Sequence, residues 1–520
     1  MFPRRKAPVI LIVTGILLYT ALLTYLTWVT YAVVETPTFD MGLNVQLSET
    51  ILQKGLPLET PSWTSSNGAL STNFFGLHFS PVKYIFAAAF AVYPRASTLL
   101  FVQALFVALG SVPAYKLSVH FLQDKRSSLL VTLLYLVFPP LIMSNLYDVH
   151  EESLLPFAVL SAYYFFVTKR YSRAMSFFIF TGLVQESANA LIFFAALQLL
   201  SLNWKDYLLL LRTRRWTRET AIVVSLLVAS PIAFLLENRL FLAINPSAGF
   251  IPFAQTAYAI NPLNALSYVP QKASYWFALF GLVGFLPFLY KRSLILAVPW
   301  LIVSIFGGNP SFSLLFFQYS FFAIPALFIG VIQGLVALRK RNFPDGLSFK
   351  RRLGLLRRLT HAPLDRVLLL LLIAVSLLFT PFYPILAGYL PAHPHLVQYY
   401  LPPSNYSQLE QLYGLIPDGA SVLSSDNIFA HVAKSINVYP ILYGYNSTTG
   451  KQYLLTHLPN GFVPDYIIIQ PSDNDTTVAL VGSFPYSYSV TGQATVQYTA
   501  IAGLNSRAEQ GLTVILYQHD

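Results

Sequence analysis

The sequence predicts an α-helical polytopic membrane protein that carries a separate α/β domain at its carboxyl end. Of its 520 residues, 55% are hydrophobic and only 11% are charged, which leaves too little polar surface for a water-soluble globule. Long apolar runs recur over residues 1–386, whereas residues 387–520 have a mixed and acidic composition. We therefore divide the chain into a transmembrane domain, 1–386, and a soluble domain, 387–520.

The apolar runs predict about eleven membrane spans. The first run, at about 7–29, is long enough to cross roughly 30 Å of hydrocarbon and lacks a small-residue cleavage site, so we expect a retained anchor. The stretch 173–202 has basic clusters at both ends, so it is expected to cross out and back as two short helices meeting at Gln185 and Glu186. Single spans are expected at about 96–121, 127–146, 150–168, 218–240, 273–290, 293–307, 315–338 and 365–386.

The position of the charges sets the predicted orientation. The net charge of +11 could indicate a nucleic-acid partner. However, 24 of the 33 basic residues lie in six clusters beside apolar runs, as the positive-inside rule requires of cytoplasmic loops. We expect a protein of the cell membrane with a cytoplasmic amino terminus, an extracellular carboxyl-terminal domain and no nucleic-acid partner.

The soluble domain carries three basic and eight acidic residues. Helical patterns at 407–416 and 427–434 and strand-like runs at 421–423, 465–470 and 512–518 predict a small α/β sandwich. Its composition offers no phosphate loop and no metal-ligand spacing, so a docking, structural or acceptor-positioning role is favoured over catalysis. The domain holds the predicted N-glycosylation sites Asn405, Asn446 and Asn474, which agree with an extracellular location.

Ionisable residues of the transmembrane domain gather on the predicted outer face. The first outer loop, 30–95, is far longer than a connection needs and contains helical patterns at 42–54 and 81–93, and long ordered loops are usually functional. With the segments around Asp148 and Glu186, it would bring acids from separate parts of the chain to one membrane surface, which indicates a functional site. The chain has no Cys, so a catalyst must use other side chains.

Several motifs resemble one known family. They are Phe39-Asp40-Met41-Gly42-Leu43, His78-Phe79-Ser80-Pro81, Tyr147-Asp148-x-His150-Glu151, Gln185-Glu186 and Gln318-Tyr319. They resemble the membrane family named domain of unknown function 2079, which is similar to the C-type (GT-C) polyprenyl-phosphate-dependent glycosyltransferases. The resemblance implies a GT-C-like fold and transfer of a sugar from a polyprenyl-phosphate donor to an extracytoplasmic acceptor. A lipid-linked sugar donor and membrane lipids would then be the partners.

Sugar transfer from a lipid phosphate needs a carboxylate base and a cation for the departing phosphate. Asp40 is the predicted base because it lies about ten residues beyond the first span; the alternative is an N-cap for a helix starting at Met41. Glu186 is the second predicted catalytic carboxylate, although it could instead bond free carbonyls at a helix break. Arg239 and then Lys83 are the predicted donor-phosphate ligands, with snorkelling to head groups as the alternative.

A divalent cation is a further expectation. Asp148, His150 and Glu152, together with His78, offer oxygen and imidazole ligands suited to Mg²⁺ or Mn²⁺. The alternative for Asp148 is a capping box with Glu151, and His78 could equally be a loop residue that caps the next helix.

Two other classes of function stay open. A non-enzymatic structural or interaction protein of the cell surface would not require acids to converge. A transporter would have ionisable groups near the middle of the membrane and internal repeats, and no clear repeat occurs in the sequence.

Overall fold

The computed structural model is mostly α-helical and ends in a small β-sheet domain. It describes residues 7–34, 39–60, 72–202, 204, 207, 212, 216–244, 260–340, 364–380, 399–400, 403–441, 443–446, 451–454, 458, 462–470, 487–501 and 507–520. The α-helices up to residue 380 are α1 Ala7–Val33, α2 Phe39–Lys54, α3 Lys83–Val92, α4 Ala96–Leu109, α5 Ser111–Leu122, α6 Lys125–Leu136, α7 Pro139–Leu146, α8 Leu155–Val167, α9 Tyr171–Gly182, α10 Ala188–Leu202, α11 Arg218–Ile244, α12 Val269–Gly281, α13 Val298–Phe306, α14 Ile324–Lys340 and α15 Leu364–Leu378. Short 3₁₀ helices lie at Phe74–Gly76, Glu151–Leu154, Pro262–Leu266, Leu286–Leu289, Lys291–Ala297, Pro310–Ser313 and Gln318–Phe322.

Four helical stretches in the described part of the chain are long enough and apolar enough to cross a membrane. They are Ala7–Val33, Ala96–Leu122, Lys125–Leu146 and Arg218–Ile244, and each coincides with a predicted span. The other predicted spans correspond to shorter or interrupted helices. The membrane class is therefore confirmed, while the total of eleven spans stays a prediction.

The second of these stretches contains Gly110, where α4 meets α5. The side chain of Tyr135 in α6 fills the space that a Cβ on residue 110 would occupy. Its hydroxyl donates a hydrogen bond to the Val107 carbonyl oxygen at 2.8 Å. Because Tyr135 is fully buried, this bond satisfies its hydroxyl.

The pair of short helices predicted within 173–202 is confirmed. Helices α9 and α10 have 12 and 15 residues, so neither reaches the roughly 30 Å of a bilayer core at 1.5 Å per residue. Gln185 and Glu186 lie in the turn between them, as expected.

The first loop contains the two predicted helices. Helix α2 begins at Phe39, three residues earlier than the pattern indicated, and α3 begins at Lys83. Between them, strands β1 (Leu58–Glu59) and β2 (Thr72–Asn73) form a short antiparallel ribbon. Asp40 therefore lies inside the first turn of α2.

An ion-pair network joins helix ends at the predicted cytoplasmic face. The guanidinium of Arg339 in α14 contacts Asp365 of α15 at 2.5 Å and Asp124 at 3.3 Å. Arg366 contacts Asp124 at 2.9 Å. These contacts fix the two ends of the predicted basic loop, whose residues 341–363 lie outside the described part.

The carboxyl-terminal part forms a six-stranded mixed sheet with two helices, α16 (Tyr406–Gly414) and α17 (Asp426–Val432). The strand order is β3-β9-β10-β8-β4-β5, and a separate hairpin joins β6 to β7. Strand β4 pairs in parallel with β5 and β8, and the remaining pairs of the sheet are antiparallel. The strands are β3 Tyr399–Tyr400, β4 Val422–Ser425, β5 Val438–Ile441, β6 Tyr443–Asn446, β7 Lys451–Leu454, β8 Tyr466–Ile469, β9 Tyr488–Ile501 and β10 Arg507–His519.

The predicted helices and strands of this C-terminal domain (residues 399–520) are present, although the sheet is larger than the sequence pattern indicated. The predicted domain boundary at 386/387 and the sequon at Asn474 lie outside the described residues. Asn405 precedes α16, and Asn446 ends β6. Glycosylation at the three sequons stays a prediction.

Gln46 of α2 connects the C-terminal domain to the helical part. Its amide nitrogen donates to the Ser435 carbonyl oxygen at 2.6 Å and to the Thr60 hydroxyl at 2.9 Å. Its amide oxygen accepts from the Thr60 backbone N–H at 2.7 Å, and the Thr60 hydroxyl donates to the Ile436 carbonyl oxygen at 2.6 Å. Gln46 is fully buried, so its side chain joins α2 to two other segments, at Thr60 and at Ser435.

Replacement of Gln46 by Leu should loosen the C-terminal domain. The substitution leaves buried partners unpaired at a cost of roughly 1–3 kcal/mol, so we expect faster amide hydrogen exchange over residues 434–438. The matched control is Gln53→Leu, because Gln53 is an exposed glutamine of the same helix. Equal exchange in both variants would contradict the docking role of Gln46.

Candidate functional site

The start of helix α2 is fixed on the turn at residues 147–150. The Met41 backbone N–H donates to a carboxylate oxygen of Asp148 at 2.7 Å, and the other oxygen accepts from the Val149 N–H, also at 2.7 Å. The Asn44 amide donates to the Val149 carbonyl oxygen at 2.9 Å. Asp148 thus caps a helix more than one hundred residues away in sequence.

Gln103 of α4 holds the other side of this turn. Its amide oxygen accepts from the His150 backbone N–H at 2.7 Å. Its amide nitrogen donates to the carbonyl oxygens of Asn145 and Asp148 at 3.1 and 3.0 Å. Since Gln103 is almost fully buried, the turn has one well-defined conformation.

His150 lies between two carboxylates. Its Nε2 is 3.5 Å from Asp40, and its Nδ1 is 3.8 Å from Glu152. The Tyr147 ring stacks on the imidazole with 5.3 Å between ring centroids and an angle of 8°. The side chain of Asp40 is 33% exposed, whereas that of Glu152 is 4% exposed, so Asp40 is the carboxylate of this group that a substrate can reach.

Lys83 is engaged inside the protein. Its ammonium contacts Glu151 at 2.5 Å and donates to the Asn44 amide oxygen at 2.6 Å. It also lies 5.0 Å from the centre of the Phe74 ring. With 3% of its surface exposed, Lys83 neutralises a buried carboxylate.

A second pair forms at the turn between α9 and α10. Glu186 accepts from His78 Nδ1 at 2.9 Å and from the Phe79 backbone N–H at 3.1 Å. Glu237 of α11 lies nearby and accepts from the Asn189 amide at 2.7 Å, and that amide also donates to the Glu186 carbonyl oxygen. The predicted catalytic residue Glu186 is thus partnered by His78.

The charges of the two clusters are strongly coupled. Burial alone would lower the pKa of His150, but Asp40 and Glu152 raise it to about 9. Burial also opposes protonation of His78, yet Glu186 raises its pKa to about 9. Burial and the nearby charge of Asp40 raise the pKa of Asp148 to about 7. Burial and the charge of Glu151 raise the pKa of Glu152 to about 7. Both imidazoles are therefore cationic at neutral pH.

An apolar cavity of about 370 Å³ reaches the His78–Glu186 pair. Phe234 and Ile260 also line it and are 37% and 57% exposed. Its walls include Ala190, Leu191, Phe194, Phe241, Trp300 and Phe322.

A row of aromatic rings links this cavity to His150. Trp300 stacks on Tyr319 with 5.7 Å between centroids, and Tyr319 stacks on Phe317 at 6.3 Å. Phe317 then contacts Tyr147 at 4.7 Å, and Tyr147 stacks on His150. The cavity and the Asp40–His150–Glu152 cluster are consequently connected parts of one region.

The structure brings together many of the predicted site residues. Asp40, Asp148, His150 and Glu152 form one cluster, and His78 and Glu186 form the neighbouring pair. The capping box of Asp148 with Glu151 is wrong, because Asp148 caps α2 and Glu151 pairs with Lys83. The alternative of Asp40 as an N-cap is likewise wrong, because α2 begins at Phe39 and Asp40 lies inside its first turn. His78 does not act as a cap, since Glu186 accepts its hydrogen bond.

The two predicted phosphate ligands are placed differently. Lys83 is buried against Glu151. Arg239 is exposed on α11, and within the described residues it has no hydrogen bond or ion pair. Among the described residues, neither Arg239 nor Lys83 lines the apolar cavity. Their roles in binding phosphate therefore stay predictions.

The predicted metal-ligand set is only partly assembled. His150, Glu151 and Glu152 offer ligand atoms within 4.8 Å of one another, and one buried oxygen of Glu152 accepts no hydrogen bond from a described residue. Both oxygens of Asp148 accept backbone N–H groups, and Glu151 is paired with Lys83. His150 and Glu152, with Asp40 beside them, are therefore the residues that fit a cation.

Sequence reasoning missed the importance of Asn44, Tyr147 and Glu151. Asn44 bonds both the 147–150 turn and Lys83, but a single Asn within a helix has no distinctive pattern. Glu151 matched a capping box, and its true partner lies 68 residues away. The signal that could have found the Lys83–Glu151 pair is general: Lys and Glu are almost never fully buried unless they are paired.

The fold is that of a helical membrane protein with a C-terminal sheet domain, and its helical part encloses a cluster of ionisable groups. The chain belongs to the family described as a predicted membrane protein, DUF2079, whose model matches residues 31–488. No curated protein matches the chain.

Three solved structures follow a similar course over most of the chain. ArnT from Cupriavidus metallidurans bound to undecaprenyl phosphate is 13% identical with a TM-score of 0.49, covering 96% of this chain and 98% of ArnT. The archaeal oligosaccharyltransferase AglB from Archaeoglobus fulgidus, in complex with an inhibitory peptide and a dolichol-phosphate, is 14% identical with a TM-score of 0.48, covering 98% and 77%. ArnT in the apo state is 14% identical with a TM-score of 0.47, covering 97% and 98%.

Proposed function

We propose that this protein is a membrane glycosyltransferase that moves a sugar from a polyprenyl-phosphate donor to an acceptor at the outer surface of the cell membrane. The observation that carries the proposal is the junction of an apolar cavity with a buried cluster of carboxylates and imidazoles. A lipid-linked sugar has the same two parts, a long hydrocarbon chain and a polar head group. The motif resemblance to the GT-C transferases implies the same substrate class.

The cavity supports the lipid part of the donor. Its walls are almost entirely apolar, and His78 and Glu186 are the ionisable residues among those that line it. Phe234 and Ile260 line the cavity and are exposed, so we propose that a chain enters from the bilayer beside them. Burial of hydrocarbon in such a cavity supplies binding free energy of about 0.8 kcal/mol per CH₂.

Asp40 is the best-placed general base. It is more exposed than Glu151, Glu152 or Glu186, and it lies 3.5 Å from His150 Nε2. In the proposed step, Asp40 takes the proton of an acceptor hydroxyl while the acceptor oxygen bonds to the sugar carbon. The bond from that carbon to the phosphate oxygen breaks, and polyprenyl phosphate leaves with the bonding pair.

Charge balance favours a divalent cation, Mg²⁺ or Mn²⁺. The two clusters combine six carboxyl groups, of Asp40, Asp148, Glu151, Glu152, Glu186 and Glu237, with only three cationic groups, of Lys83, His78 and His150. A phosphate entering this acidic region needs additional positive charge. His150 and Glu152 beside Asp40 would hold the cation, which would offset the charge of the departing phosphate. His150 would release its proton on binding.

The alternatives have less support. A purely structural protein does not need a buried cluster of acids from four segments. Such a cluster costs free energy, because its charges must be removed from water. A transporter would need a polar path through the membrane, whereas the cavity described here is apolar.

A bulky side chain in the cavity should block the donor. Ala190→Trp is expected to weaken binding of a radiolabelled long-chain polyprenyl phosphate in nanodiscs by about tenfold or more, because the chain loses the burial of several CH₂ groups. Phe193→Trp is the matched control, since Phe193 is on the same helix but does not line the cavity. Unchanged binding by the Ala190 variant would place the lipid elsewhere.

Loss of the base should abolish turnover. Asp40→Asn keeps the size of the side chain but removes the proton acceptor, so release or transfer of sugar from a pool of lipid-linked sugars should fall by roughly 10²–10⁴. Glu49→Gln serves as the control on the same helix. A folded Asp40→Asn protein with wild-type turnover would remove Asp40 from the chemistry.

Chelation should test the cation. EDTA is expected to reduce turnover by about tenfold or more, and added Mn²⁺ should restore it. Glu152→Gln should raise the Mn²⁺ concentration needed by roughly 10–100-fold, the usual effect of disturbing a metal site, whereas Glu219→Gln at the predicted cytoplasmic face should not. Full activity in EDTA would exclude a required exchangeable cation.

A further inference from the structure

A second cavity, of about 730 Å³, lies between the helical part and the C-terminal domain. Its walls come from the second half of α2, the connection between α3 and α4, and residues within 416–422 and 430–438. We name it the outer cleft. Sites for small ligands usually have volumes of about 300–1,000 Å³, so the outer cleft has the size of a binding site, and the proposed reaction does not use it.

The outer cleft lies on a different face of α2 from Asp40. Val45 and Gln53 of this helix line the cleft. At about 100° per residue, both side chains are rotated by about 140° from Asp40 around the helix axis, one in each direction. Asp40 faces His150, so the cleft is separate from the site of the proposed reaction.

The backbone of one wall is already hydrogen-bonded. The carbonyl oxygens of residues 435–438 all accept hydrogen bonds, from the Gln46 amide, the Thr60 hydroxyl and the Val422 backbone N–H. An extended peptide that adds to a sheet needs free backbone groups of this kind. Recognition of a ligand in the outer cleft is therefore left to side chains.

Charged side chains of both signs line the outer cleft. The cations are Lys54, Arg95 and Lys434, and the acids are Glu49 and Asp418. Because the two signs nearly balance, the walls do not complement a strongly anionic or cationic ligand. A hydroxyl group can both donate and accept hydrogen bonds, so a ligand rich in hydroxyl groups suits this mixed set.

His431 of α17 adds a buried hydrogen-bond acceptor to the outer cleft. Its ring stacks on Tyr31 with 3.8 Å between centroids, and its Nε2–H donates to the Tyr31 carbonyl oxygen at 3.2 Å. Burial lowers the pKa of His431 to about 3, so the ring is neutral and Nδ1 keeps its lone pair. No described residue donates a hydrogen bond to Nδ1, which leaves this atom for a ligand.

We infer that the outer cleft binds a neutral oligosaccharide. A pyranose has hydroxyl groups around its edge and C–H groups on its faces. The apolar wall residues Phe90, Ile416 and Val432 suit the faces, and His431 with the charged and amide side chains suits the hydroxyl groups. This binding site is additional to the proposed transferase site and does not depend on it.

The test uses the full-length protein in nanodiscs on an array of neutral hexose and N-acetylhexosamine oligosaccharides, with sulfated oligosaccharides for comparison. At least one neutral oligosaccharide should bind saturably. Ala420→Trp should raise its Kd by about tenfold or more, because the indole occupies the ligand volume. Leu415→Trp is the matched control, since Leu415 is 50% exposed beside the cleft but does not line it.

His431→Gln tests the buried acceptor. The Gln amide nitrogen can replace Nε2 as the donor to Tyr31, but no acceptor replaces Nδ1. We expect the Kd to rise by about three- to tenfold, the value of one hydrogen bond between neutral groups. If the melting temperature of this variant falls, the result with Ala420→Trp decides.

Three results would overturn the inference. They are an array without a bound neutral oligosaccharide, binding of sulfated oligosaccharides alone, and unchanged neutral binding by Ala420→Trp. Asp40→Asn should bind the oligosaccharide as the wild type does. Failure of the proposed transferase function would therefore leave this result unchanged, and the two proposals are tested separately.

Discussion

The hydrogen bond from the Met41 N–H to Asp148 is the contact on which the site depends. It fixes the start of α2 against the 147–150 turn, and each neighbouring residue on the helix then has one defined direction. Asp40 faces His150, Asn44 reaches Lys83, and Gln46 reaches the C-terminal domain. A slip of one residue would rotate these side chains by about 100° around the helix axis, so all three connections would be lost together.

Burial of so many ionisable groups is tolerated because each has a specific partner. An unpaired buried charge costs several kcal/mol, and Glu151, Glu186 and Asp148 each receive a cation or backbone N–H groups at 2.5–3.1 Å. Glu152 and His150 are exceptions, since one buried oxygen of Glu152 and Nε2 of His150 have no hydrogen bond with the described residues. This incomplete pairing beside the accessible Asp40 supports the proposal of a binding site over an inert ion-pair network.

The sequence predicted the parts of the fold that composition and local pattern determine. The apolar runs located the long helices, and the polar dipeptide Gln185-Glu186 located the turn between α9 and α10. The positions of the acidic residues relative to the predicted spans predicted that Asp40, Asp148 and Glu186 would lie in one region. Local patterns could not predict pairings between distant parts of the chain, because packing sets the contacts of Asp148 with Met41 and of Lys83 with Glu151. The sequence of Asp148 and Glu151 matches a capping box instead, and that interpretation was wrong. The close packing at Gly110 was equally hidden, because the side chain that contacts it, Tyr135, belongs to another helix.

The arrangement also answers a physical problem that any enzyme using a lipid-linked substrate must meet. The phosphate must reach ionisable groups, yet those groups cannot face hydrocarbon without a large desolvation cost. Here the rings of Trp300, Tyr319, Phe317 and Tyr147 form the row that runs between the cavity and His150. Aromatic side chains suit this position because they offer apolar faces and, in Tyr and Trp, a polar edge. Among the described residues that line the cavity, the ionisable ones are His78 and Glu186, which are paired with each other. The head group of the proposed donor would therefore meet a paired charge, and not an isolated one, on entering from the cavity.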